Sequence, residues 1–172
     1  MRFVLEAVAQ FRQVDSVTPV VLMGYLNPVE IRGADAFADA ALAAGVDGVL
    51  LVDLPPEEAA DLRAAFARTG LSLVLLASPT TPTARLQRLR TDASGYLYYV
   101  SFNGVTGATE RLDVGAAGER LRELRAGCPV PVVAGFGIKD AASAAAMAVD
   151  ADGVVVGSAL VAALAEAADP VA

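Results

Sequence analysis

Short apolar runs alternate along the whole chain with alanine-rich segments of helical period. Runs that are apolar on both faces and bounded by Asp, Gly or Pro indicate strands of a parallel sheet covered by helices. The predicted strands cover residues 19–23, 48–52, 72–76, 96–100, 131–134 and 153–156. The predicted helices cover residues 2–14, 34–44, 56–69, 83–90, 117–126, 140–149 and 159–168. This order gives one helix followed by six strand–helix units, and a long polar loop at 101–116.

Two glycine turns near the end of the chain distinguish a barrel from an open sheet. The run 135–138 reads Gly-Phe-Gly-Ile and the run 157–159 reads Gly-Ser-Ala, each between a predicted strand and a predicted helix. Such turns expose helix N-terminal N–H groups, which favour a bound anion. Phosphate turns on the last two units are typical of a (β/α)8 barrel, whereas a doubly wound sheet carries Gly-x-Gly-x-x-Gly after its first strand. We therefore predict an α/β fold of the TIM (β/α)8-barrel type.

The length of the chain predicts an incomplete barrel. A whole barrel has about 250 residues, and this chain has 172. No linker or shift in composition divides it, so residues 1–172 are predicted to form a single partial barrel domain. We expect the chain to begin partway into the barrel and to lack two strands.

Composition narrows the classes of function. A net charge of −7 without a run of Lys or Arg argues against nucleic-acid binding. No apolar run reaches the length of about 18 residues that a membrane span needs. The absence of histidine excludes Ser-His-Asp and Cys-His catalysis and any histidine-based metal site. One cysteine and no export signal predict a cytoplasmic protein.

Few side chains at the predicted strand ends are suited to acid/base chemistry. Asp53 is the strongest candidate by position, although we favour a structural role for it, as a helix cap or in an Asx turn. Tyr98 lies within a strand, and its side chain belongs either to the mouth of the barrel or to the core. Phe136 has no reactive group but is suited to the wall of an apolar site. The sequence shows no convincing pair of carboxylates for general acid/base catalysis.

Four longer segments, together with Gly-Ser-Ala at 157–159, resemble the tryptophan synthase alpha chain family in order and spacing. They are residues 19–28, 45–58, 95–108 and 135–138. The resemblance covers nearly all of the chain and implies a lyase of tryptophan biosynthesis. The expected reaction is the retro-aldol cleavage of indole-3-glycerol phosphate to indole and glyceraldehyde 3-phosphate. It implies that the alpha chain needs no cofactor and passes indole to a beta subunit that carries pyridoxal phosphate.

The resemblance also implies roles for individual residues. The expected contacts to the substrate phosphate are Gly107, Gly137, Gly157 and Ser158. The expected residues of the indole pocket are Tyr25, Tyr98 and Phe136, and the expected mobile-loop residue is Thr106. The expected contacts to the beta subunit are Asn27, Pro28, Asp53 and Pro55.

The sequence departs from the family at its catalytic pair. The family's general acid/base glutamate and its aspartate in a Pro-Phe-Ser-Asp-Pro type motif have no counterpart in these residues. We expect both to lie upstream, and the chain to be inactive alone. The alternative is a non-catalytic barrel fragment that binds a beta subunit or a phosphate ligand. Two other phosphate-binding barrels fit less well: ribulose-phosphate epimerases use histidine ligands, and histidine-pathway barrels use paired aspartates.

Overall fold

The chain folds into two compact units, each with three parallel strands. The computed structural model describes residues 1–100, 114–135 and 137–167. The first unit consists of Met1–Leu75 and Asp92–Gly95, and the second of Leu76–Thr91 and Tyr96–Ala172. The prediction that residues 1–172 form a single domain stays a prediction.

Helices and strands alternate in the first unit. Its elements are α1 (Arg2–Phe11), β1 (Val21–Gly24), α2 (Asn27–Arg32), α3 (Ala34–Ala44), β2 (Gly48–Leu51), a 3-10 turn (Pro56–Glu58), α4 (Ala60–Thr69) and β3 (Ser72–Ala77), of which the last two residues belong to the second unit. β1 pairs in parallel with β2, Val21 opposite Gly48. β2 pairs in parallel with β3, Gly48 opposite Ser72. Every residue of β2 is buried, as expected for a central strand covered on both faces.

The second unit repeats the same alternation. Its elements are α5 (Thr83–Asp92, with the last residue in the first unit), β4 (Leu97–Val100), α6 (Val114–Arg125), β5 (Val132–Gly135), α7 (Ala141–Ala148), β6 (Gly153–Val155) and α8 (Ser158–Glu166). β4 pairs in parallel with β5, and β5 with β6. The predicted α/β order of one helix and six strand–helix units is therefore confirmed in the described part of the chain.

The differences from the predicted helices are most informative at α1 and at residues 56–69. α1 ends at Phe11 instead of residue 14 because the Asp15 carboxylate organises a turn there. It accepts the N–H groups of Val17 and Thr18, both at 2.8 Å, and the Thr18 hydroxyl at 2.6 Å. Residues 56–69, predicted as one helix, form the 3-10 turn and then α4.

The hydrophobic pattern did not predict α2, and α6 begins before the predicted end of the loop at 101–116. α2 has Pro28 in its first turn, where proline loses no hydrogen bond, and it ends at Gly33 with φ of 85°. α6 begins at Val114, and residues 101–113 lie outside the described part of the chain.

Polar side chains that precede a glycine hold the starts of neighbouring strands. The Asp47 carboxylate accepts the Val20 N–H at 2.7 Å, just before β1 begins. In the second unit the Asp152 carboxylate accepts the N–H of Val132, the first residue of β5, at 2.8 Å. Both bonds give an acceptor to an N–H group at the N-terminal edge of a sheet, where the hydrogen bonds between neighbouring strands do not supply one.

Arg12 joins α1 to this edge of the first unit. Its side chain is only 16% exposed. The guanidinium donates to the carbonyl oxygens of Gly45 at 2.8 Å and Thr18 at 2.7 Å, and to the Asp47 carboxylate at 2.5 Å. Arg125 takes the corresponding position in the second unit, 2.7 Å from the Asp152 carboxylate. Each arginine therefore neutralises the aspartate that holds a strand.

The Arg12 network predicts a large loss of stability on its removal. Arg12→Met keeps an aliphatic stem but removes the cation beside the Asp47 carboxylate and the donor to the Gly45 carbonyl. We expect the free energy of unfolding to fall by about 2–3 kcal/mol, because a hydrogen bond to a charged group contributes roughly 1.5–3 kcal/mol. Urea denaturation followed by circular dichroism measures the change. The matched control is Arg2→Met, which removes an exposed pair with Glu6 and should cost less than about 0.5 kcal/mol. Equal losses in the two variants would contradict the assignment.

The side-chain turn at Asp15 predicts acid sensitivity. Hydrogen bonds from the Thr18 hydroxyl and then from the N–H groups of Thr18 and Val17 lower the pKa of Asp15 from 3.8 to about 2. A carboxyl with a depressed folded-state pKa stabilises the fold above its unfolded pKa, and this stabilisation is lost as the pH falls through the folded pKa. The melting temperature should therefore stay level above about pH 5 and fall from about pH 4 to pH 2.

The variant Asp15→Asn tests this source of the acid slope. It should melt at a lower temperature at neutral pH and lose less on acidification, in thermal melts recorded across the same pH series. Glu6→Gln, which removes an exposed carboxyl of α1, serves as the control and should keep the slope of the parent chain. An unchanged slope in Asp15→Asn would rule out this origin.

Candidate functional site

The start of α8 is open and has no side-chain cap. Gly157 precedes the helix, and its carbonyl accepts the N–H groups of Leu160 at 3.0 Å and Val161 at 3.1 Å. Gly157 and Ser158 are both exposed. A Cβ added at Gly157 would meet no atom within 4 Å. The first amides of a helix lack intrahelical partners and lie at the positive end of its dipole, so this turn has room for an anion.

The start of α7 is occupied by its own side chains. The Asp140 carboxylate accepts the Ser143 N–H at 2.7 Å, and the Ser143 hydroxyl accepts the Asp140 N–H at 3.2 Å. This capping box, through the Ser143 N–H first and its hydroxyl second, holds the pKa of Asp140 below its ordinary value. At α7, unlike α8, the Ser143 N–H of the first turn is therefore already bound by a carboxylate.

Gly137 belongs to the turn ahead of that cap. It is exposed and has φ of 77°, a left-handed conformation that favours glycine. The sequence pattern Asp-x-x-Ser before an alanine-rich run is the signal by which the cap could have been found. Because Asp140 caps α7, the group left for an anion here is the backbone at Gly137 and not the first turn of the helix.

Tyr98 explains why β5 ends in glycine. Its side chain is 5% exposed, and a Cβ added at Gly135 would overlap its hydroxyl. Burial, and to a lesser extent Tyr96, raises the pKa of Tyr98. The structure places Tyr98 among buried side chains of the second unit, and its phenol is protonated near neutral pH.

Asp53 has an unexpected hydrogen-bond partner. Its carboxylate accepts the Leu26 N–H at 2.7 Å and so joins the loop after β2 to the loop after β1. No side chain caps the 3-10 turn Pro56–Glu58. The expected helix cap is absent, and Asp53 instead forms a bond between two loops. That its role is structural stays a prediction.

The other predicted residues of the first unit lie on these same two loops. Tyr25 follows β1 and is 67% exposed. Asn27 and Pro28 are exposed at the start of α2, and Pro55 is half-buried. Three predicted site residues, Thr106, Gly107 and Phe136, lie outside the described residues.

Neither a metal cluster nor a membrane span is found in the part of the chain that the structure describes. Within residues 1–100, 114–135 and 137–167, no three His, Cys, Asp or Glu side chains are grouped so that they could hold a metal ion. Over the same ranges, no helix is long and apolar enough to cross a bilayer.

Known proteins of one family match nearly the whole chain. The family model described as tryptophan synthase alpha chain matches residues 1–171. The tryptophan synthase alpha chain of Xanthomonas campestris pv. campestris is 70% identical over 169 residues, which are 98% of this chain and 62% of that protein. The chain thus spans 62% of the length of this curated relative.

Solved structures agree in fold. The alpha subunit of tryptophan synthase from Legionella pneumophila is 44% identical and superposes with a TM-score of 0.86, covering 97% of this chain and 62% of that one. A chain of the tryptophan synthase α2β2 complex from Pyrococcus furiosus is 38% identical, with a TM-score of 0.84, covering 96% of this chain and 66% of that one. These structures confirm the predicted TIM-barrel type of fold. By the match over residues 1–171, the chain belongs to the tryptophan synthase alpha chain family.

Proposed function

We propose that the chain is the alpha-type component of tryptophan biosynthesis and holds indole-3-glycerol phosphate for retro-aldol cleavage. The observation that carries the proposal is the uncapped, exposed start of α8 at Gly157 and Ser158. Family membership supplies the substrate class, since it is the alpha chain family to which the chain belongs. The products are indole and glyceraldehyde 3-phosphate.

Backbone amides are the proposed ligands of the phosphate. The N–H groups at Gly157 and Ser158 bind it, with the Ser158 hydroxyl as a further donor and Gly137 at the neighbouring turn. Oriented amides at a helix start produce a local positive field, so a net charge of −7 does not prevent anion binding. Gly107 is proposed as a fourth contact from the family resemblance alone.

The indole ring is proposed to lie against aromatic side chains. Tyr25, Tyr98 and Phe136 are the proposed wall residues, and Thr106 is the proposed mobile-loop residue. The exposure of Tyr25 supports a role in contact with a ligand or partner. The phenol of Tyr98 is buried and protonated near neutral pH, so it can donate a hydrogen bond in a positioning role.

The cleavage itself needs groups that move protons. C3 of the indole ring gains a proton while the ring nitrogen loses one. Loss of the side-chain hydroxyl proton then breaks the bond between C3 and the glycerol chain and forms the aldehyde. The electron pair of that bond passes through the ring to the nitrogen, which takes up a proton to give indole. Of the acids at strand ends, Asp53 already accepts the Leu26 N–H. We therefore propose that the 172 residues taken alone bind the substrate and do not cleave it. No cofactor is required by this proposal.

The proposed partner is a tryptophan synthase beta subunit. Asn27 and Pro28 are exposed at the start of α2, and Asp53 is exposed on the loop after β2, where Pro55 follows it. A solved relative belongs to an α2β2 complex, which supports a partner of this kind. Through it, the indole released by the alpha component would pass to the pyridoxal phosphate of the beta subunit.

A charge placed at Gly157 tests the phosphate site. In Gly157→Asp the new side chain enters open space, caps α8 and repels the phosphate. Isothermal titration calorimetry should show affinity for indole-3-glycerol phosphate reduced by about tenfold or more, which corresponds to roughly 1.4 kcal/mol. The control Gly157→Ala fills the same space without charge and should bind within about threefold of the parent chain. If Gly157→Asp bound the substrate as tightly as the parent chain, the phosphate site could not lie at the start of α8.

A turnover assay tests the second part of the proposal. The purified 172-residue chain, given indole-3-glycerol phosphate, should release indole no faster than the buffer does, while calorimetry shows binding. The alpha chain of Xanthomonas campestris serves as the positive control under identical conditions. Robust release of indole by the 172-residue chain would refute binding without cleavage.

A further inference from the structure

We propose that a groove between α2 and α4 seats a lysine or arginine side chain of the beta subunit. This inference rests on the partner named in the proposed function and adds a specific contact to it. The groove lies wholly within the first unit, on the loops that follow β1 and β2.

The groove has the size of one side chain. Its volume is about 190 Å³, whereas sites for small metabolites begin at about 300 Å³. Its floor includes Leu26, Val29 and Leu54, of which Val29 and Leu54 are buried. An apolar floor of this kind favours a long aliphatic stem over a polar ligand.

The rim of the groove carries three carboxylates from three elements. Glu30 comes from α2, Glu58 from the 3-10 turn and Asp61 from the first turn of α4, and all three are exposed. Among the residues that the structure describes, none of the three forms an ion pair. The rim therefore presents uncompensated negative charge to whatever enters the groove.

The arginines of α4 are committed to other acids. Arg63 pairs with Asp92, and Arg68 pairs with Asp35 at 3.2 Å and Asp39 at 2.8 Å. The Arg68 pKa is raised by these two carboxylates, first by Asp39. The arginines of α4 are therefore not available to the three rim carboxylates, and we expect a cation from outside the unit to bind there.

The combination of floor and rim selects the chemistry of the occupant. A lysine or arginine lays its methylene groups on the leucines and carries its charged end to the carboxylates. A purely apolar side chain would desolvate the carboxylates without compensation, and an acidic one would be repelled. Of the side chains a protein partner can offer, only these two satisfy both parts of the groove.

The groove is continuous with the residues proposed to face the beta subunit. Leu26 directly precedes Asn27, and Leu54 lies between Asp53 and Pro55. The 2.7 Å bond from the Leu26 N–H to Asp53 holds the two loops side by side. A beta subunit in contact with these loops therefore reaches the groove without any further rearrangement of the unit.

Neutral isosteres on the rim test the inference. The triple variant Glu30→Gln/Glu58→Gln/Asp61→Asn is compared with Glu6→Gln/Glu119→Gln/Glu166→Gln, which changes the net charge equally on exposed positions away from the groove. The probe is the purified beta subunit of Xanthomonas campestris tryptophan synthase, titrated into each full chain at low and high salt. The rim variant should bind about tenfold more weakly and lose most of its salt dependence, and the control should stay within about twofold.

The outcomes separate this inference from the function on which it rests. Equal affinity of the rim variant and the parent chain overturns the groove contact and leaves the beta subunit as partner. Absence of binding by the parent chain overturns both. A change in self-association on sedimentation, with beta-subunit binding unaltered, assigns the groove to a second copy of this chain and also overturns the contact. If the triple variant melts early, Glu30→Gln alone should still weaken binding by about threefold.

Discussion

A polar side chain just before a glycine fastens the start of the preceding strand, and this interaction organises both units. Asp47 and Asp152 accept the N–H groups at the starts of β1 and β5, and the Ser94 hydroxyl accepts the Leu73 N–H at 2.7 Å. Without these acceptors, N–H groups at the sheet edge would lack partners, at a cost of about 1–3 kcal/mol each. Because strand starts are held, the opposite, carboxyl ends carry loops whose positions are set by the sheet register. Among the described candidate residues, Tyr25, Asp53, Pro55, Gly137 and Gly157 follow those carboxyl ends.

Most of the fold follows from the hydrophobic pattern, because each strand and helix buries an apolar run of matching period. The helix at 34–44 and its stop at Gly45 are confirmed to the residue. The errors arise where a side chain competes with the backbone. Asp15 ends α1 early through local hydrogen bonds, and the run that begins Asn27-Pro28 reads as a loop but folds as α2. Whether a side chain replaces a backbone hydrogen bond depends on local geometry, which the spacing of apolar residues does not reveal.

The sequence is sufficient to locate the glycine turns of the candidate site. It is not sufficient to show which contacts require a glycine or a cap at each position. Gly157 opens α8 as its motif predicts. Gly135 is required by the nearby Tyr98 hydroxyl, a contact between two strands that no local motif encodes. The Asp140 cap has a readable pattern, whereas the bond from Leu26 to Asp53 joins residues 27 positions apart. Contacts of the second kind decide which carboxylates are structural, and they require the fold.

The proposed binding of the substrate phosphate by backbone amides at the start of α8 is open to direct measurement. Titration of indole-3-glycerol phosphate into the ¹⁵N-labelled chain, followed by amide NMR shifts, tests it most directly. We expect the largest saturable shifts to fall on the amides of Gly157 and Ser158, and glycerol 3-phosphate to reproduce them. Saturable shifts confined to other parts of the chain, with these two amides unmoved, would contradict it.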